Sequence, residues 1–248
     1  MIANLVGIAT SAIAVRGFEE LLPRMSQRDA ETVSSTIGTI LGRKPSAIDT
    51  MAAEAVFARS AVQMIAEAKP GEIGQLTADE EEPDPATNRL NEEFVKLTPA
   101  GRKALFGTVE RKLQERLQRR IRILQGPEKS WIPGLTQQAE MDGDRPATLA
   151  DYLVMSIDGS TATQFVQASL RTRAQLRVVR LYAQAIAYRW ETGKWPAKID
   201  AVDPLTEEPF LYEVKADGTI KIASKGTKET GEIGLRYQAP KPVEEVRP

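Results

Sequence analysis

The feature that most constrains the fold is the stretch from Thr161 to Thr192, which contains neither proline nor glycine and repeats apolar residues at helical spacing. At a rise of about 1.5 Å per residue it predicts a helix roughly 48 Å long. Its apolar residues form two neighbouring rows, and so broad an apolar face is typical of a helix at the centre of a core. The rows are Leu176, Val179, Ala183, Ile186 and Trp190, and Leu170, Ala174, Val178, Leu181, Ala185 and Tyr188. A membrane span is excluded by arginines in its N-terminal half, at Arg171, Arg173, Arg177 and Arg180.

The N-terminal third predicts three shorter helices. The first runs from the N-terminus to Pro23. Ser26 with Asp29, and Ser46 with Asp49, have the spacing of a capping box, in which side-chain oxygens accept hydrogen bonds from the free N–H groups of a helix start. These pairs predict the starts of the second and third helices. Short helices with clear start and stop signals indicate a compact helical bundle.

The middle of the chain predicts a linker and then a basic helix. Residues 79–82 are all acidic, and they lie in a stretch rich in proline and glycine. We interpret them as a solvated linker rather than a metal site, because adjacent like charges repel each other. Pro99 is suited to the first turn of the next helix, where no N–H donor is needed. Residues 126–147, rich in glycine and proline, read as irregular, and Thr148 with Asp151 caps a short helix.

The basic helix, residues 102–122, is a candidate binding surface. Its charged face could bind nucleic acid or an acidic partner helix. The alternative, which we favour, is an exposed charged face on a bundle helix. No aromatic residues alternate with the basic ones to stack on bases. The candidate partner-binding residues are Arg111, Arg116, Arg119 and Arg120.

After Pro196 the pattern changes from helical spacing to alternation. Apolar residues alternate from Phe210 to Val214 and again from Ile220 to Ile222. Between them, Asp217-Gly218 predicts a tight hairpin turn with positive φ angles. A third strand is predicted from Ile233 to Tyr237.

These patterns predict a mostly α fold: a helical bundle with a long central helix and a small C-terminal antiparallel β-hairpin or sheet. The predicted segments follow chain order. Residues 1–69 form an N-terminal helical bundle, and residues 70–97 an acidic linker with a short helix. Residues 98–157 contain the basic helix, a loop and a short helix, and residues 158–248 the long helix and the hairpin.

The amino-acid composition excludes several kinds of catalytic and metal-binding site. The chain has no cysteine and no histidine, which excludes Ser-His-Asp triads, thiolate–imidazole pairs and the usual zinc sites. Carboxylate catalysis, a desolvated lysine, or a hard metal bound by oxygen ligands remains open. The formal net charge is −1, so no global field attracts the chain to nucleic acid or an anionic membrane. We predict no cofactor.

The first fifteen residues carry no charge and are mildly apolar. A secretory signal places Lys or Arg before its apolar run, whereas the first basic residue here is Arg16. We therefore interpret this stretch as a buried helix.

The end of the long helix and the residues after it contain a distinctive set of residues: Tyr188, Gly193, Trp195, Pro196, Asp203, Pro204 and Tyr212. With these residues the segment resembles the soluble region of type II secretion pseudopilins. In that family a long helix ends in a tyrosine-containing turn, a glycine, an aromatic residue and a proline, and an Asp-Pro turn and a short antiparallel sheet follow. The resemblance covers about residues 163–238.

The resemblance implies an extracytoplasmic protein, periplasmic or associated with the envelope. The whole chain also resembles uncharacterised extracytoplasmic bacterial proteins with this ending. Two family features have no counterpart in this sequence: a membrane-spanning helix with a processing site, and the acidic calcium ligands after the last hairpin. Residues 224–232 contain two lysines and no aspartate, so calcium is not expected there.

Three functions are compatible with the sequence. We favour a non-catalytic module that binds or organises partner proteins, associated with an envelope or secretion-type assembly. The first alternative is a carboxylate-only enzyme such as a glycan hydrolase, which needs two acids at a fixed separation. The second alternative is nucleic-acid binding through the basic helix. The acids considered for hydrolysis are Glu54, Glu67, Glu93 and Glu191.

Overall fold

The computed structural model describes residues 2–43, 47–67, 92–142, 147–158, 161–228 and 230–235. It is mostly helical, with a long helix and small antiparallel sheets near the C-terminus, as the sequence predicts. Within the described ranges, none of the helices is long and apolar enough to cross a membrane. The predicted acidic run at residues 79–82 lies outside these ranges, as does Ser46.

The helices and strands follow one another in chain order, and single 3-10 turns lie at Leu22–Arg24 and Glu128–Ser130. The helices are α1 (Ile2–Leu21), α2 (Gln27–Arg43), α3 (Ala47–Glu67), α4 (Pro99–Leu124), α5 (Trp131–Asp142), α6 (Leu149–Asp158) and α7 (Thr161–Thr192). The strands are β1 (Val202–Asp203), β2 (Glu208–Pro209), β3 (Leu211–Val214), β4 (Ile220–Ser224) and β5 (Ile233–Gly234).

Two of the predicted capping boxes are confirmed. The Ser26 hydroxyl accepts from the Asp29 N–H at 3.3 Å, and the Asp29 carboxylate accepts from the Ser26 N–H at 3.2 Å. Thr148 and Asp151 repeat this exchange at 3.2 and 3.1 Å. Such reciprocal bonds satisfy N–H groups that the first helical turn leaves free. They explain why α2 and α6 begin where they do.

The cap of α2 depends on pH. Hydrogen bonds from the Ser26 hydroxyl and N–H hold the pKa of Asp29 below its ordinary value. The carboxylate therefore stabilises the folded chain fully above that ordinary pKa, and its contribution is lost as the pH falls through the lowered pKa.

Residues 131–142 are helical, so the prediction of an irregular stretch over 126–147 is wrong for this part. Pro133 lies in the first turn of α5, where its missing N–H costs no hydrogen bond. Gly134 is needed because a Cβ there would lie 2.8 Å from Cγ2 of Ile123. The Trp131 indole N–H donates to the Gly126 carbonyl at 2.8 Å. Proline and glycine therefore serve the helix start and its packing rather than a loop.

The chain forms two compact units that do not follow chain order. The first unit comprises residues 46–126 and 130–164, and the second comprises residues 2–45, 127–129 and 165–248. Residues of α3, α4, α6 and the single helical turn 92–95 build the core of the first unit. They are Val62, Ile65, Phe94, Phe106, Val109, Leu149, Ala150, Leu153 and Val154.

The core of the second unit joins α1, α2, α7 and the sheet of β3, β4 and β5. The two apolar rows of α7 are buried, as predicted, except at their C-terminal ends. Tyr188 is 44% exposed and Trp190 is 61% exposed, so the prediction is wrong for these two residues. The Trp190 indole N–H donates to the Met25 carbonyl at 3.0 Å. That bond fixes the ring while leaving most of it in solvent.

The strands form two small antiparallel sheets. β1 pairs with β2, with Val202 opposite Pro209. In the other sheet the order is β3-β4-β5, with Tyr212 opposite Ile222 and Ser224 opposite Ile233. Strands of two residues, such as β1 and β2, are too short to be predicted from an alternating pattern.

The hairpin between β3 and β4 is confirmed, but only Gly218 has a positive φ, at 77°. The Asp217 carboxylate instead accepts hydrogen bonds from the Thr219 N–H at 2.9 Å and the Thr219 hydroxyl at 2.6 Å. The Lys215 N–H donates to the Thr219 carbonyl at 2.8 Å and closes a three-residue loop. A glycine at the last loop position is typical of this class of turn. The predicted positive φ at Asp217 is therefore wrong.

Tyr182 of α7 completes the hydrogen bonding of β4. Its buried hydroxyl donates to the Ile220 carbonyl at 3.3 Å and accepts from the Ile222 N–H at 2.9 Å. Buried backbone groups without partners are costly, and one tyrosine satisfies two of them here. The helical rows predicted from the sequence did not include Tyr182.

Candidate functional site

The predicted partner-binding arginines lie on α4, and two of them contact the same carboxylate. Arg120 makes a two-point contact with Asp158 of α6 at 2.6 and 2.8 Å. Arg116 contacts the same carboxylate at 3.4 Å. These three side chains are largely enclosed, with 16%, 14% and 13% of their surfaces exposed for Arg120, Arg116 and Asp158. Their charges hold α4 to α6.

Three other basic residues of α4 also have partners. Arg111 pairs with Glu115 one turn later at 2.8 Å, and both are exposed. Lys112 pairs with Asp151, and Arg119 takes part in an interaction within the chain. Burial raises the pKa of Asp151, but hydrogen bonds from Lys112 and Thr148 outweigh it, and the pKa lies below its ordinary value. Most of the basic residues of α4 are therefore partnered within the chain.

Replacing Asp158 with alanine is expected to lower the free energy of unfolding by about 3 kcal/mol, because Arg116 and Arg120 would keep enclosed charges without a counterion. Urea unfolding followed by circular dichroism measures this change. The matched control is Glu115→Ala, which removes an exposed acid of α4 that pairs with Arg111 and should change stability by less than about 0.5 kcal/mol. Equal effects of the two substitutions would contradict the assigned role of Asp158.

The residues that resemble a pseudopilin ending close the end of α7. Gly193, with φ of 73°, donates its N–H to the Arg189 carbonyl at 2.8 Å and ends the helix. Trp195 folds back so that its ring lies 4.5 Å from the Arg189 guanidinium carbon. The Tyr212 hydroxyl donates to the Pro196 carbonyl at 2.6 Å, and burial raises the pKa of this phenol. These contacts fix the course of the chain where α7 ends.

Asp203 and Pro204 begin the turn that joins β1 to β2. Asp203 is completely buried, and its carboxylate accepts from the Leu205 N–H at 3.0 Å. It also accepts from the Ser224 hydroxyl on β4. The carboxylate therefore ties the two sheets together. Its contacts are those of a structural residue.

The loop after β4 is closed by hydroxyl groups. Ser224 accepts from the Gly226 N–H at 2.9 Å, and Thr230 accepts from the Thr227 N–H at 2.8 Å. Gly226 has a φ of 65°, and a Cβ on it would lie only 1.7 Å from the Gly231 carbonyl oxygen. Among the residues that the structure describes, no group of three or more acidic side chains is placed to hold a metal ion.

The acids considered for hydrolysis are spread along the chain. Glu54 and Glu67 belong to α3, Glu93 to the single turn at 92–95, and Glu191 to α7. The more enclosed carboxylates are different residues, and each is held by its own partners. They are Asp158 in the first unit and Glu128 and Asp203 in the second.

The second unit contains an open groove beside the C-terminal half of α7. Its volume is about 240 Å³. One side is formed by the helix and the other by the segment that follows the Gly193 turn. The lining residues are Leu181, Gln184, Ala185, Tyr188, Pro196, Lys198, Ile199, Asp200 and Ala201.

No protein-family model, no curated protein and no solved structure matches this chain.

The segment at the side of the groove has unpaired backbone groups. The Lys198 ammonium lies 2.9 Å from the Asp200 carboxylate, whereas Ile199 between them packs against the core. This alternation is typical of an extended chain. Within the described part of the protein, the N–H and C=O groups of residues 198–200 form no hydrogen bond. The buried side chains of Leu181 and Ala185 form an apolar floor of the groove. Unpaired backbone groups beside such a floor can pair with another extended backbone.

Of the residues that line this groove, two were singled out from the sequence as motif residues, Tyr188 and Pro196. Residues 198–201 have too short an alternation to be distinguished from a loop. Leu181 and Ala185 were recognised as apolar. Whether they line a groove depends on the path of the chain after Gly193, where it turns back beside α7. Turn geometry of that kind is not encoded in periodicity.

Proposed function

We propose that this chain is a non-catalytic, extracytoplasmic module that binds a partner protein, and that the partner docks in the groove beside α7. The observation that supports docking is the combination of an apolar floor, the exposed ring of Tyr188 and the unpaired backbone of residues 198–200. An extended segment of the partner matches this chemistry, because it supplies backbone donors and acceptors together with an apolar side chain.

Exposed aromatic residues in the same unit support the proposal. Tyr and Trp are enriched among residues that carry most of the binding energy at protein interfaces. Trp190 is held by its bond to Met25 while most of its ring is exposed. A ring fixed before binding loses little entropy when a partner covers it.

The resemblance of residues 163–238 to the soluble region of pseudopilins supports the extracytoplasmic location and an association with an envelope or secretion-type assembly. Fractionation of native cells tests the location, and recovery of the chain with cytoplasmic marker proteins would contradict it.

Photo-crosslinking tests the docking site. With p-benzoylphenylalanine in place of Tyr188, irradiation of native cells is expected to link the chain to one discrete partner. The control places the same group at Val214, a similarly exposed residue of the second unit, and should give no such product. Products that are absent at position 188, or equal at both positions, would overturn the proposed site.

The partner identified in this way then allows a quantitative measurement. Tyr188→Ala is expected to weaken its binding by about tenfold or more, the usual effect of truncating an aromatic residue that anchors an interface. Val214→Ala should leave the affinity within about twofold.

A further inference from the structure

Helix α2 has a glycine near its middle, and the space that it leaves is occupied by an arginine. A Cβ on Gly38 would lie 3.2 Å from the guanidinium carbon of Arg180 on α7. Glycine inside a helix costs about 1 kcal/mol relative to alanine. The guanidinium therefore rests directly on the backbone of α2, at a position where a larger residue would displace it.

Arg180 has no acidic partner and no hydrogen bond within the described residues, and its Nε is buried without an acceptor. Its neighbours on the same face have an acidic partner, although the Arg173 Nε is likewise buried without an acceptor. Arg173 and Arg177 both contact Glu128, at 3.3 and 3.1 Å. Residues 173, 177 and 180 lie on one face of a helix, one turn apart. This face therefore carries three guanidinium groups and one carboxylate, which contacts two of them.

A partly buried cation without a counterion is unfavourable, because it has lost water without gaining a partner. The face carries an excess of two positive charges. A phosphate group bears a charge of about −1.5 to −2 near pH 7 and has several acceptor oxygens, which suit the planar fork of guanidinium donors. A single phosphate therefore matches the excess charge and the donor groups of this face.

We propose that Arg180, resting on Gly38, binds a phosphate group, assisted by Arg177 one turn earlier on α7. This site is independent of the groove beside Tyr188. The phosphate is either the free ion or part of a larger phosphomonoester, since both present the same oxygens to the arginines.

Titration calorimetry of the full chain at constant ionic strength tests the site, with inorganic phosphate in one arm and glycerol 3-phosphate in the other. Saturable binding is expected in at least one arm, and the tighter ligand identifies the source. Arg180→Gln is expected to weaken that binding by about tenfold or more, the value of one charge-assisted hydrogen bond. Circular dichroism verifies that the variant is folded.

Two further variants separate a local site from general charge. Arg171→Gln removes an exposed charge from the same helix and should leave the affinity unchanged. Gly38→Ala keeps every charge and requires the Arg180 guanidinium to shift by only a few tenths of an ångström, so it should weaken binding less than Arg180→Gln does. Binding that does not saturate in either arm, or that falls equally in Arg171→Gln and Arg180→Gln, would overturn the proposal.

Discussion

Replacing Gly226 with alanine is expected to lower the free energy of unfolding by more than about 4 kcal/mol, or to prevent the second unit from folding. Two effects add. The residue has a φ of 65°, where a side chain is strained, and its Cβ would overlap the Gly231 carbonyl oxygen at 1.7 Å. The obstacle is backbone held by the Thr227–Thr230 hydrogen bonds, so it cannot rotate away as a side chain would.

Gly231 provides a matched control. It has the same φ of 65°, but a Cβ on it would meet nothing within 4 Å. Gly231→Ala should therefore cost only the conformational strain, on the order of 1 kcal/mol. Urea unfolding of the two variants separates strain from overlap. Equal destabilisation would show that the close approach of residues 226 and 231 does not exist in solution.

Replacing Asp203 with alanine is expected to destabilise the chain by about 4 kcal/mol. The Leu205 N–H and the Ser224 hydroxyl would lose a buried acceptor, and each unsatisfied buried group costs about 1–3 kcal/mol. A cavity between the two sheets would add to this. Thermal unfolding measures the change.

Asp200→Ala is the control for Asp203, because Asp200 is an exposed acid a few residues earlier that pairs with the exposed Lys198. It should shift stability by less than about 0.5 kcal/mol. Ser224→Ala and the double variant complete a mutant cycle with Asp203. If the two single effects simply add, the residues are not coupled and the sheets are not joined through this carboxylate.

Local signals in the sequence predicted the helices well. Ser26 with Asp29 and Thr148 with Asp151 fixed helix starts, because a capping box depends only on residues three positions apart. The long helix from Thr161 to Thr192 was predicted with its observed ends. Proline and glycine misled the prediction only at α5, where Gly134 is required by contact with Ile123, a residue of another helix.

Which distant parts of the chain pack together was harder to predict from the sequence. Periodicity shows which face of α7 is apolar, but not that residues 2–45 share its compact unit while residues 46–126 belong to another. Likewise, the sequence allowed the basic residues of α4 to be interpreted as a binding surface. The structure shows that Arg116 and Arg120 instead contact Asp158. The groove beside Tyr188 forms where the chain turns back along α7 after Gly193. Hydrophobic periodicity does not predict that path.

The contact between Tyr182 and β4 has a consequence for aggregation. An unpaired strand edge can recruit a strand from another molecule, and the two β-branched residues Ile220 and Ile222 favour strand pairing. The phenol blocks that edge by occupying its donor and acceptor. Self-association through this edge should therefore require that α7 first separates from the hairpin.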